Sequence, residues 1–243
     1  MLVQSPVAAT PMRAEFRRLL RENLWAAAAG AWVGLLVGGV GGRLAMLLLR
    51  LTSPDRVRGV ESDDGFVIGQ VTFDTLNLLL ACTFIGAAAG TGYWLFRSAV
   101  THRRTRLVSW TVFCGLLGGA ALVQDGGVDF GLLEPLSLAV SVFILIPLVA
   151  GAGIALLADR WITSPGPVPR AAAALRLLPA LSSLVVPVAP ILALVGSGGW
   201  ALLARLPGKI RTGARMLGVA AALGIASLSA VDLAQDLSTL AEM

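Results

Sequence analysis

Residues 24–49 read LWAAAAGAWVGLLVGGVGGRLAMLLL, 26 consecutive positions with a single charge, Arg43. A helix needs about 20 mostly apolar residues to cross the roughly 30 Å hydrocarbon layer of a bilayer. The run is far longer than the apolar core of about 7–15 residues in a secretory signal, and no small-residue cleavage site ends it. It reads as a retained transmembrane span.

Comparable runs follow at 75–96, 107–123, 136–158 (with Pro147 in its middle), 177–204 and 214–231. Across the 243 residues, 56% are hydrophobic and only 14% charged, with a mean hydropathy of +0.82. A soluble domain carries about 25% charge, so this composition excludes a disordered chain, a coiled coil and a water-soluble globule. The expected fold is all-α: a polytopic membrane protein of about five transmembrane helices plus one Pro-broken re-entrant helical hairpin at 177–204. Six full crossings are the alternative.

Two segments are organised differently. Residues 1–23 read as a cytoplasmic amphipathic segment, and 24–243 as a single transmembrane domain. Thr10-Pro11 supplies an N-cap and a first-turn proline. Met12, Phe16, Leu19 and Leu20 then share one helical face, with Arg13, Arg17 and Arg21 on another. That pattern suits an interfacial helix lying on the inner leaflet. The outer stretch 57–73 carries Asp64-Gly65 between two β-prone arms, the second ending at Phe73, and predicts a small extracytoplasmic β-hairpin.

Charge sets the orientation. The basic residues are 18 Arg and Lys209, the acids number 14, and the net charge is +5. Arginines gather in cytoplasmic loops of membrane proteins, which accounts for a pI near 10.5 without nucleic acid. Arg17, Arg18 and Arg21 place the N-terminus inside, and the Arg-rich stretch 97–106 is inside too. The loops at 50–74 and 124–135 hold eight acids against three Arg and belong outside. If 177–204 turned back, 15 basic residues would lie inside and 3 outside; if it crossed, the split would be 11 and 7. Pro187 and Pro190 break the helix near the middle of that stretch, each removing a backbone donor. The re-entrant arrangement puts 205–215 inside and the C-terminus outside.

Small residues indicate how the spans pack. Ala26, Gly30, Gly34, Gly38 and Gly42 recur every four residues, and Cys82, Gly86 and Gly90 repeat the spacing in the second span. In lipid, close backbone approach through such positions contributes more than burying apolar area. The simplest arrangement packs the two faces within one subunit; a homo-oligomer or a partner membrane protein is the alternative use. Cys82 and Cys114 read as small packing residues rather than a disulfide.

The polar candidates are few. Arg43 suits either snorkelling to the outer interface or a buried role facing an outer-loop acid. Asn77 and Thr83 suit hydrogen bonds between helices. Asp125 and Asp129 suit a cation vestibule or a solvated turn. Glu61, Asp63 and Asp64 lack the ligand spacing of a calcium loop, so no metal or cofactor site is assigned. His102, the sole histidine, sits beside Arg103 and Arg104 and suits anionic headgroups on the cytoplasmic face. No catalytic motif and no mid-span carboxylate occurs. The expected role is a structural, accessory or sensing membrane subunit, not an enzyme. The alternatives are a small channel or transporter built on 177–204, and a lipid-modifying membrane enzyme.

Overall fold

The computed structural model describes residues 12–54, 73–124, 134–163 and 208–241, with isolated positions 173, 174, 195 and 199. It is all-helical there. Helix α1 (Met12–Val33) passes into a π-helical segment (Gly34–Gly41) and then α2 (Gly42–Thr52) as one continuous rod. Helices α3 (Phe73–Ala99), α4 (Arg103–Leu122), α5 (Leu136–Thr163) and α6 (Gly208–Ala241) follow. Five helices are long and apolar enough to cross a membrane: the α1–α2 rod, α3, α4, α5 and α6.

The rod and α3 run antiparallel, and glycine is why they can. A β-carbon built on Gly30 would overlap the carbonyl oxygen of Gly86, and one on Gly34 that of Cys82. A β-carbon on Gly90 would overlap the carbonyl oxygen of Ala26. The contact loosens beyond: a β-carbon on Gly38 would lie 3.3 Å from Cys82 Cβ, and one on Gly42 would meet nothing within 4 Å. Gly42, expected in the packed face, is therefore outside it. The π segment begins at Gly34, where the register changes. Wider i→i+5 turns rotate later residues off the four-residue repeat, which takes Gly42 out of line.

Helices α4 and α5 form a second tight antiparallel pair. A β-carbon on Gly118 would overlap the Pro147 ring, and one on Gly151 would come within 2.6 Å of Cys114 Cβ. The ring of Pro147 thus fills space that glycine leaves open, and α5 continues through it. Cys82 and Cys114 are not joined in a disulfide and lie at helix contacts. At the end of α2, Ser53 adopts an extended conformation. Pro54 follows and disfavours further helix. The Ser53 hydroxyl donates to the Glu134 carbonyl at 3.1 Å and accepts from the Glu134 amide at 2.8 Å, tying α2 to the start of α5.

Two expectations change here. The N-terminal amphipathic segment is not a separate interfacial helix, because α1 runs unbroken through residues 23 and 24. Part of its apolar face packs on the protein: Leu19 is buried and Phe16 lies against the same core as Trp94, Trp110 and Ala158. The β-hairpin is not supported. No strand occurs among the described residues, and Phe73, its expected last residue, opens α3. The remainder of that hairpin, the N-cap at Thr10-Pro11, and Asp125 and Asp129 lie outside the described residues, as does nearly all of 177–204 with Pro187 and Pro190.

Helix α6 packs differently from the rest. Leu233 and Leu240 are buried in a second core with Leu49, Val123 and Ala139, and Leu233 lies against Gly119. Earlier in the helix, Met216, Leu217, Leu223 and Leu228 are each more than 60% exposed. A helix surface of that kind requires lipid or another apolar partner.

Candidate functional site: a buried arginine–aspartate–tyrosine network

The stretch 97–106, read from sequence as a basic loop, is mostly helix. Only residues 100–102 separate α3 from α4. His102 caps α4, its Nδ1 accepting from the Thr105 amide at 3.4 Å. The turn is therefore tight, and Arg97 and Arg106 flank it on rigid elements. Both are aimed at the last turns of α5, where Asp159 sits.

Asp159 and Arg106 are each 8% exposed. Arg106 Nη2 donates to Asp159 Oδ2 at 2.6 Å, and Nε donates to the Tyr93 hydroxyl at 3.0 Å. Nη1 faces the Val100 and Thr101 carbonyls at 3.3 and 3.4 Å, so all three guanidinium nitrogens are engaged. Arg97 Nε lies 3.2 Å from Asp159 Oδ1, and Arg103 Nε 4.0 Å from Oδ2. One carboxylate thus gathers three arginines from two helices onto a third. Tyr93 is fully buried and packs edge-on to Trp110, with ring centroids 5.6 Å apart.

Depth in the bundle explains how the chain tolerates such charge. The network occupies the first turn of α4 and the last turns of α3 and α5. Helix α4 has 20 residues, a length of about 30 Å at 1.5 Å per residue, which matches the hydrocarbon layer. A helix of that length crossing the layer would set its first turn at an interface, where charged groups cost least. The hydrogen bond to Tyr93 has one charged partner, the Arg106 guanidinium, and contributes about 1.5–3 kcal/mol. Tyr93→Phe is expected to lower stability by that amount in a detergent unfolding titration, while leaving the Arg106–Asp159 contact in place.

The residues singled out from sequence are distributed around this network, not within it. Arg43 is half-buried at the opposite end, its Nη2 donating to Thr75 Oγ1 at 2.9 Å. Thr83 is buried and donates to the Leu79 carbonyl of its own helix at 2.6 Å, so it does not bridge helices. Asn77 is exposed on α3, which removes it from the helix contact expected of it. Among the described residues, no group of three or more His, Cys, Asp and Glu side chains is placed to hold a metal ion. The network itself was missed by the sequence reading. Its signal was present: Asp159 is the one acid between Glu134 and Asp232, directly after an apolar run, in a region otherwise basic.

No protein-family model, curated protein or solved structure matches this chain. Function is therefore read from the residues themselves.

Proposed function

We propose that this chain is a multi-pass membrane protein with a structural, accessory or sensing role, and not an enzyme. The closure of the charged network carries this reading. Every guanidinium nitrogen of Arg106 is occupied by the protein, and Asp159 pairs with Arg106 through Oδ2 and stands 3.2 Å from Arg97 through Oδ1. A catalytic acid or base needs a face open to substrate. This cluster instead clamps three helix ends together. The Gly30–Gly86 and Gly34–Cys82 approaches fit a glycine zipper acting inside one subunit, which leaves α6 as the surface for lipid or a partner.

The packing of α6 supports the proposed topology. Its C-terminal part sits beside Gly119 and Val123, at the end of α4 remote from Arg106. With the apolar, exposed part before it in lipid, α6 runs parallel to α4 on this proposal. Counting back about 24 Å from Leu233 brings residues 216–217 level with Arg103. Arg211 and Arg215 then join the basic end, and the C-terminus falls on the acidic side. On this proposal residues 163 and 208 share one face, the arrangement that a re-entrant 177–204 requires.

The second reading, a channel or transporter, takes its support from Pro187 and Pro190 in that returning segment, since non-helical backbone at membrane depth suits a protein-lined cavity. Flux assays on reconstituted liposomes separate the two. The scaffold reading expects no ion or small-solute movement above that of empty vesicles. Selective flux abolished by changes at Pro187 or Pro190 would replace it with the channel.

A further inference from the structure

We propose that the first turns of α1 form a binding site for one anionic phospholipid, with its phosphate between Arg17 and Arg21 and an acyl chain along Leu20, Leu24 and Trp25. These five residues line a groove of about 260 Å³ on the outside of the bundle. Its composition is that of a lipid cut lengthwise: two guanidinium groups at one end and an almost wholly apolar floor leading away. Arg17 and Arg21 stand one helical turn apart, so both can reach one phosphodiester, and guanidinium groups match phosphate oxygens in pairs.

Three further observations favour an anion here. Arg17 and Arg21 are exposed, and neither makes an ion pair with a described residue. Arg13, also exposed, lies one turn before Arg17 on the same side. The neighbouring acids, Glu15 and Glu22, project about 100–160° around the helix from these arginines at 100° per residue. The groove therefore has two lining cations, a third one turn away, and neither Glu15 nor Glu22 on its face. Its apolar wall is built firmly: Trp25 packs edge-on against Trp161 of α5, centroids 6.4 Å apart, and Leu19 anchors the other side of α1 in the core. The site rests on the orientation proposed above only in taking this helix end to lie at headgroup depth.

The test is native mass spectrometry of the intact protein from micelles doped with equal phosphatidylglycerol and phosphatidylcholine of the same chains. Phosphatidylglycerol should be retained preferentially. A basic residue at an anionic surface gives about a five-fold preference, so Arg17→Gln with Arg21→Gln should lose about thirty-fold. Trp25→Ala should weaken retention of either lipid, and millimolar inorganic phosphate should not displace the bound lipid. Arg18→Gln with Arg104→Gln removes two exposed charges from the same end and should change retention less than two-fold. Equal losses in both double variants would reduce the effect to diffuse attraction and overturn the site. So would unchanged retention in the Arg17/Arg21 variant, or displacement by phosphate. The variants sit on an exposed face, and an unchanged thermal midpoint confirms folding. Because micelles have no sidedness, the outcome is independent of whether the topology holds.

Discussion

Asp159→Ala is expected to destabilise the bundle by about 3–5 kcal/mol, the cost of removing one partner from a buried ion pair. Arg106 would keep its positive charge at 8% exposure with no anion beside it. It cannot swing out to water without also giving up Tyr93 and the two carbonyls of the 100–102 turn. Arg97 and Arg103 have side chains 23% and 76% exposed and can re-solvate, so their share of the loss is small. The converse change is milder. Arg106→Ala leaves Asp159 with Arg97 still 3.2 Å away, a remaining counter-charge that Asp159→Ala does not leave for Arg106. The double change Arg106→Met with Asp159→Leu should recover much of the loss, because matched apolar groups carry no desolvation penalty. Unfolding titrations of the parent, Arg106→Met, Asp159→Leu and the double variant in mixed detergent micelles give the cycle. Additive single effects would mean that the two side chains do not act on each other.

The second large effect belongs to Gly34. Its absent β-carbon would coincide with the backbone carbonyl of Cys82, a group held in the α3 helix and unable to rotate aside. Inserting a single methyl into a closed contact costs about 1–3 kcal/mol. A leucine adds three more carbons with nowhere to go, so Gly34→Leu should prevent α1 and α3 from closing and remove the folded protein from membrane extracts. The effect should fall along the rod. Gly38→Leu meets only the Cys82 side chain and is intermediate, and Gly42→Leu faces open space and is tolerated. Leu36→Ala, at a residue 54% exposed, should change stability by about 0.5 kcal/mol or less. The yield of monodisperse protein from equal amounts of membrane ranks the variants. A flat ranking would remove the glycine contact from the account of assembly.

The spans were legible because apolar run length reports bilayer thickness directly, and five of the runs are helices of sufficient length. The glycine repeat at Gly30, Gly34, Gly86 and Gly90 was legible because a four-residue spacing in a helix fixes one face. The same rule failed at Gly42, where the π segment shifts the register and sequence spacing no longer maps onto a face. Arg106 and Asp159 were invisible for another reason. They lie 53 residues apart, and a tally of loop charges registers sign without burial. The N-terminal segment shows a further limit. A leaflet and a protein core offer an amphipathic helix the same apolar surface, so Phe16 and Leu19 could not distinguish them. The α4–α5 contact at Gly118 and Pro147 was hidden because proline in a span reads first as a break, while here its ring packs against a glycine.

The topology is tested most directly by single cysteines placed at Lys209 and after Thr239, in a chain with Cys82 and Cys114 changed to alanine. Intact cells would be treated with a membrane-impermeant maleimide. If the basic ends of α1, α3, α4, α5 and α6 gather at the inner surface, as proposed, the position near the C-terminus is labelled and position 209 reacts only after the cells are opened. Labelling of position 209 from outside, with the C-terminal position protected, would contradict that arrangement.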